Sequence, residues 1–366
     1  MNKMKQIITL GVFLAIIFGF ALGHIFLADK ELSKTERRQL AEFPEFSSES
    51  LLDSEYSNEV ETYLLDQFPM REKFRTIKSN LKFNVFMQKD NNKIYLVDDG
   101  VYKWEDKLDE KQIMYFAKKI NEVCNTYFKD NNIFYTVVPD KNYFVAEKNG
   151  YPAFDYDKMM TLVNDNVKKA KYIDIFDSLK IDDYYRTDAH WKQESLEGVV
   201  STIGKAMGIS DRLSKWDSYY QTTLSPFYGV YSGQSAVDVK PDTITYLENS
   251  VTKNGVVTGA EFNGEVPVYT LEEFKSMDSY GIFLKGAQAV LEVKNPKAKT
   301  DKELIIFRDS FGSSISPLLL SAYSKVTLVD LRYIATNFVG EFVDISDQDV
   351  LFLYSTSLIN SGLLLK

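Results

Sequence analysis

Three short, nearly unbroken apolar runs dominate the last third of the chain: "ELIIFRD" (303–309), "KVTLVDL" (325–331) and "QDVLFLYS" (348–355). Apolarity sustained over so few residues fits strands buried on both faces. Between the first two, "SFGSSISPLLLSAY" reads as a helix. The same alternation starts earlier. Residues 107–129 read as helix, "IFYTVV" (133–138) as a buried strand ending at "PDKNY", 157–170 as helix and "KYIDIF" (171–176) as strand. A further helix is expected directly after His190, in "WKQESLEGVVSTIGKAM". Strands alternating with helices imply an α/β fold whose central, mostly parallel sheet is covered by helices. The signals over 211–300 are short strands and turns. They read as a β-rich insertion within one α/β domain spanning 101–366.

The N-terminus obeys a different pattern. Lys3 and Lys5 precede an uncharged run from Gln6 to Ala28, and roughly 20 apolar residues suffice to cross the hydrocarbon core of a bilayer as helix. Basic residues on a short leading end keep that end cytoplasmic and place the remaining body outside. Cleavage as a signal peptide after "ALG" (Ala21 to Gly23) is the alternative; the continuation of the run to Leu27 favours an uncleaved anchor. Residues 1–28 are therefore expected as a transmembrane anchor or signal segment. Residues 29–100 are expected as a polar, helical juxtamembrane region, with a helix break near Phe68 where Pro69 intervenes. His24, inside the apolar segment, is not expected to do chemistry.

Composition narrows the function. A formal charge of −9 and the lack of a clustered basic face argue against a nucleic-acid partner. The single cysteine, Cys124, excludes an intramolecular disulfide, and the ligand spacing of a structural zinc site is missing. No metal and no cofactor are expected. A hydrophobic share of 45%, with 23 Tyr and 25 Phe, is that of a globular chain; abundant tyrosine is compatible with carbohydrate or peptide surfaces.

Two short segments could carry chemistry. In "LIIFRDSFGSS", Ser310 follows a strand and opens a helix, the point where α/β sheets present reacting groups and where helix N–H groups can hold an oxyanion. Taken alone, Ser310 could equally be a helix N-cap. In "YYRTDAHW", Asp188 and His190 stand at i and i+2 and so point the same way, a base with its orienting carboxylate. Otherwise His190 caps the next helix or packs through Trp191. With no other histidine in the body of the chain, the two segments together point to a Ser310, His190, Asp188 hydroxyl nucleophile. Lys141, Asn142 and Tyr143, after the strand at 133–138, are candidate substrate contacts at the same sheet edge, or a simple polar loop. Tyr228 and Tyr231 flank Gly229 in a turn that could stack on a sugar or cover the sheet.

"YYRTDAHW" and "FRDSFGSS" resemble the paired motifs of the DHHW family, and more distantly the alginate O-acetyltransferase proteins related to SGNH hydrolases. "ERRQLAEFPEF", "DQFPMRE", "SPFYGVYSG", "DSYGIFLKGAQAVLEVKNP" and "VTLVDLRY" look like the same family in the same order. The resemblance implies an SGNH hydrolase-like α/β domain with Ser310 as nucleophile, His190 as general base and acid, and Asp188 orienting it. In ordinary SGNH enzymes the serine block comes first; in this family, as here, Asp-x-His precedes it. Two positions depart from the pattern. Ala189 stands where the family name implies a second histidine, and its side chain points away from the Asp188/His190 pair. Ala287, in "FLKGAQ", stands where relatives often read F-L-G-G-N. If that asparagine donates to the oxyanion, this chain must use the Ser310 N–H with the Gly286 N–H or Gln288; losing such a donor costs about 2.7–4 kcal/mol.

The activity implied by the resemblance is O-acetyl transfer to a cell-surface or exported polysaccharide, with a membrane-bound O-acyltransferase supplying the acyl group. A carbohydrate acetyl esterase shares the chemistry with water as acceptor. A catalytically weak glycan-binding or scaffold protein is the alternative outside enzymes.

Overall fold

The computed structural model describes residues 3–33, 35–45 and 54–366; the end of "ERRQLAEFPEF", at Phe46, lies outside them. The chain forms two compact units, one running up to Asn92 together with Ser232–Val239, the other comprising Lys93–Tyr231 and Lys240–Lys366.

The second unit is built on an eight-stranded sheet. In chain order its strands are β1 Ile133–Val138, β2 Lys171–Tyr172, β3 Val256–Gly259, β4 Val266–Pro267, β5 Val290–Lys294, β6 Glu303–Arg308, β7 Lys325–Val329 and β8 Asp349–Ser355. Their spatial order is β4-β3-β5-β7-β6-β8-β1-β2. The five strands from β7 to β2 run parallel, and β5, β3 and β4 extend the sheet by antiparallel pairing. Thus the α/β fold with a mostly parallel sheet is as the apolar runs imply. Part of 211–300 does not stand apart from that sheet: β3, β4 and β5 belong to it. Only Tyr220–Phe227 and Asp242–Glu248 pair as a separate hairpin.

Period-two alternation explains why the central strands are apolar throughout. Leu304 and Ile306 of β6 face one core with Ile315 and Leu318 of the helix Phe311–Leu319 and Val199 and Ile203 of the helix Glu197–Met207. Ile305 and Phe307 face the other, with Phe116, Ile120 and Val123 of the helix Glu110–Tyr127 and Met159 and Val163 of the helix Tyr156–Asn166. Each buried Leu, Ile or Phe contributes about 1.5–3 kcal/mol.

Two expected elements are shorter. "KYIDIF" pairs only at Lys171–Tyr172, because the Asp174 carboxylate turns back to accept from the Phe176 N–H at 3.0 Å and ends the extended run. The helix expected straight after His190 begins at Glu197, since Trp191 is held in a bridge to Tyr184.

In the first unit, Lys3–Phe26 is one helix, long and apolar enough to cross a membrane and placed where a signal segment or an anchor would be. The helix Ser54–Asp66 stops short of Pro69, Met70 takes a left-handed φ of 62°, and the next helix runs Arg71–Asn80. This is the expected break.

Cys124 is wholly buried in the helix Glu110–Tyr127, and burial pushes its thiol up to about 12. Iodoacetamide at mildly alkaline pH should leave it unmodified in the folded protein and alkylate it in urea, with mass spectrometry as readout. Rapid alkylation of the native chain would contradict this packing.

Candidate active site

"YYRTDAHW" forms no regular element; it doubles back on itself. Tyr184 bridges Trp191, the Tyr185 N–H donates to the His190 carbonyl at 3.1 Å, and the Lys192 N–H donates to the Asp183 carbonyl at 2.7 Å. This closure brings Asp188 and His190 face to face, with Nδ1 2.6 Å from Asp188 Oδ1. The same carboxylate accepts the backbone N–H of His190 at 3.1 Å and that of Val230 at 2.8 Å. An ionised carboxylate only accepts, so Nδ1 carries the proton and Nε2 presents a lone pair. Ser310 Oγ lies 2.7 Å from that Nε2. The imidazole plane is held by Tyr280, stacked at 3.9 Å and 11°, and by Phe311 at 4.9 Å. Tyr280 is itself fixed by donating its hydroxyl to Ser314 Oγ at 2.8 Å, which also accepts from Trp191 Nε1 at 2.9 Å.

Ser310 opens the helix Phe311–Leu319, yet its hydroxyl makes no capping bond. Asp309 does that work: Oδ1 accepts the Phe311 N–H at 3.0 Å, while Oδ2 accepts from the Ser355 N–H at 2.8 Å and its hydroxyl at 2.7 Å. The Ser310 hydroxyl is left for His190. Its own N–H has no acceptor among the described residues, the state required of an oxyanion donor.

The other candidates fall elsewhere. Lys141 is buried, and its ammonium donates to four carbonyls: Val101 and Tyr185 at 2.7 Å, Arg186 at 2.9 Å and Asp188 at 3.0 Å. The rings of Tyr102 and Tyr231 lie over it, at 4.7 and 5.5 Å. Asn142 is also buried, accepting from the Tyr95 hydroxyl at 2.8 Å and donating to the Pro152 carbonyl at 3.0 Å. Neither side chain is open to a substrate, which corrects the expectation for Lys141 and Asn142: their polar atoms are consumed by the backbone and core around them. Tyr143 keeps an exposed ring, packed edge-on against Phe144, Tyr156 and Phe176. Tyr228 is exposed. Gly229 is a spacer, since a Cβ there would sit 2.3 Å from the Thr187 carbonyl carbon and 2.4 Å from Asp188 Cα. The Gly286 N–H donates to the Phe283 carbonyl at 3.2 Å. Gln288 is half-buried, with Oε1 lacking a partner.

Several supporting residues escaped sequence reasoning. Asp242 accepts the Thr187 N–H and hydroxyl, both at 2.7 Å, and clamps the loop from beneath. Nothing near Asp242 in sequence signals this. Asp309 was legible in principle, as a carboxylate directly before a helix-opening serine. Among the described residues no group of three or more His, Cys, Asp or Glu side chains is arranged to hold a metal ion.

The chain belongs to the DHHW family: the family model, described as DHHW protein, matches residues 36–147 and 142–329. Among solved structures it is similar to a DHHW family protein from Eubacterium siraeum, at 19% identity and a TM-score of 0.59, over 75% of this chain and 95% of that one. It is likewise similar to Bacillus cereus PatB1, at 18% identity and a TM-score of 0.59, over 74% and 97% of the two chains. PatB1 with a sulfonyl adduct matches at 17% identity and a TM-score of 0.56, over 73% and 95%. These likenesses concern the fold. No curated protein matches the sequence.

Burial drives the Lys141 ammonium down to about 7, with Asp188 and Asp242 pulling it back up. The ammonium brings three N–H donors to the four carbonyls, one of them shared, where a neutral amine would bring two, so the geometry favours the charged form. Lys141→Met keeps the volume and removes every donor. The Arg186 carbonyl keeps the Val101 N–H at 2.8 Å, but a buried carbonyl that loses its partner costs about 1–3 kcal/mol, so the variant should lower stability in urea denaturation by more than a surface change such as Lys299→Met. Equal midpoints for the two variants would remove Lys141 from this role.

Proposed function

We propose that this protein transfers an acetyl group to a hydroxyl of a cell-surface or exported polysaccharide through an acyl-enzyme on Ser310. The observation that carries the proposal is the 2.7 Å contact between His190 Nε2 and a serine hydroxyl that caps nothing. His190 takes the Ser310 proton as Oγ attacks the acetyl carbonyl, and Asp188 offsets the imidazolium charge. The free Ser310 N–H stabilises the oxyanion. Collapse expels the donor's leaving group, which takes the proton from His190. A sugar hydroxyl, deprotonated by His190, then attacks the acyl-serine and restores the enzyme.

Acetyl and glycan enter from the resemblance to alginate O-acetyltransferase proteins, and the catalytic constellation supplies the nucleophile. With the helix Lys3–Phe26 as an anchor, the body works outside the cytoplasmic membrane. A membrane-bound O-acyltransferase is then the supplier of acyl groups. Water in place of the sugar gives acetate and an esterase, so the assay must contain both acceptors.

With p-nitrophenyl acetate, intact-mass analysis should show one acetyl gain mapping to Ser310 and lost in His190→Ala. Adding an oligosaccharide should yield acetylated sugar; release of acetate alone would identify an esterase. A capping serine tolerates glycine at a cost of only a few tenths of a kcal/mol. A nucleophile tolerates neither Ser310→Ala nor Ser310→Gly, and we expect both to abolish transfer. An unlabelled Ser310 in a protein that still acetylates glycan would end this mechanism.

Asp188→Asn should reduce kcat by a factor on the order of 10⁴, because an amide no longer holds the Nδ1–H tautomer. Near-normal turnover in the folded variant would mean that another group orients His190.

A further inference from the structure

The helix Arg71–Asn80 and the π-helical turn Leu81–Val85 that continues it are built inside out. Their inward side is polar. Ser79 is buried; Arg75 pairs with Glu72 at 2.9 Å and Glu36 at 3.4 Å, and donates to the Gly233 carbonyl at 2.8 Å. Phe74, Ile77, Leu81, Val85, Phe86 and Met87 are all exposed, Phe86 by 66% and Met87 by 77%. A water-facing helix orders its faces the other way, and an apolar patch of this extent marks a contact surface.

Two observations identify what covers it. The patch is continuous with the apolar helix Lys3–Phe26. Phe20 of that helix stacks on Phe68 at 5.2 Å and meets Phe74 edge-on at 5.5 Å. Gly23 admits Pro69, whose Cγ would lie 3.2 Å from a Cβ at that position. The contact falls on the last two turns of a helix whose remaining apolar side chains are exposed along its length. The second observation is charge. Arg71 and Arg75 are neutralised inward by Glu36 and Glu72. Lys73, Lys78, Lys82 and Lys89 make no ion pair among the described residues. Long lysine stems at the border of an apolar helix face let the ammonium reach anionic headgroups while the stem stays in the apolar layer.

We propose that residues 68–87 are a second membrane contact, lying in the lipid–water interface at the end of the helix Lys3–Phe26. Phe74, Ile77, Leu81 and Phe86 enter the acyl layer, and Lys73, Lys78 and Lys82 lie at the phosphates of anionic lipid. This is independent of acyl transfer and stands or falls without it.

The full-length chain is reconstituted into vesicles of phosphatidylcholine and phosphatidylglycerol. An NBD label is placed at Val85→Cys, at Phe86→Cys or at the exposed control Lys299→Cys; buried Cys124 stays unlabelled in native protein. Lipids brominated on the acyl chain should extinguish emission at 85 and 86 and spare 299, and aqueous iodide should do the reverse. Iodide quenching at 85 and 86 as strong as at 299 would show a water-exposed face. Shielding of 85 and 86 from both quenchers would show a protein partner or a second copy. Either result overturns the proposal.

Discussion

An irregular loop has no ladder of its own to satisfy its carbonyls, and here a lysine ammonium takes three of them beside the backbone N–H groups that meet others. The Lys141 Nζ takes the carbonyls of Tyr185, Arg186 and Asp188, together with that of Val101, and so fixes the backbone on which Asp188 and His190 are mounted. Lys141 is in turn placed by Asp140, which caps its helix by accepting the Asn142 N–H at 2.8 Å, and which receives the Thr356 hydroxyl at 2.7 Å. The neighbouring Ser355 binds Asp309, the residue before Ser310. Two adjacent residues at the end of β8 therefore register both halves of the site. One half is the loop with His190, the other the turn with Ser310. A 2.7 Å contact between segments 120 residues apart is thereby set by short, buried, charge-assisted hydrogen bonds and not by the chance packing of two loops.

The α/β architecture was legible because its determinant is local. β1, β6, β7 and β8 are apolar on both faces, a pattern that only a doubly covered sheet produces. The nearness of Asp188 and His190 was legible from their i, i+2 spacing, although the structure realises it in a run of bends, with the Asp188 carboxylate accepting the His190 N–H, and not in extended backbone. The functions of Lys141 and Asn142 were not. A polar pair after a strand reads as an exposed loop, and only the fold over them, bringing Val101, Tyr185 and Pro152 onto their polar atoms, makes them interior. Gly229 was singled out for a turn and matters instead as a bare backbone beside Thr187 and Asp188, a steric demand made by residues more than 40 positions away. The truncation of "KYIDIF" lay within reach, since Asp174 is a side chain that competes with strand hydrogen bonding.

The loop before β5 carries backbone strain. Leu284, Lys285 and Gly286 take φ of 56°, 59° and 79°, and the first two are non-glycine residues in the left-handed region. Such backbone costs about 1–3 kcal/mol per residue and persists only where neighbours over-determine it. They do so here. The buried Arg308 donates to the Gly286 carbonyl at 3.3 Å, and Lys285 pairs with Glu273 at 3.1 Å. Arg308 lies two residues before Ser310, so one side chain braces this loop against the strand end that leads into Ser310. The Gly286 N–H is turned to the Phe283 carbonyl at 3.2 Å, which closes the loop directly before Ala287. Two residues past Gly286, Gln288 buries an Oε1 with no donor among the described residues, a defect worth about 1–3 kcal/mol. The strain at Leu284 and Lys285 is thereby tied, through Arg308 and the Gly286 carbonyl, to the strand end that leads into Ser310.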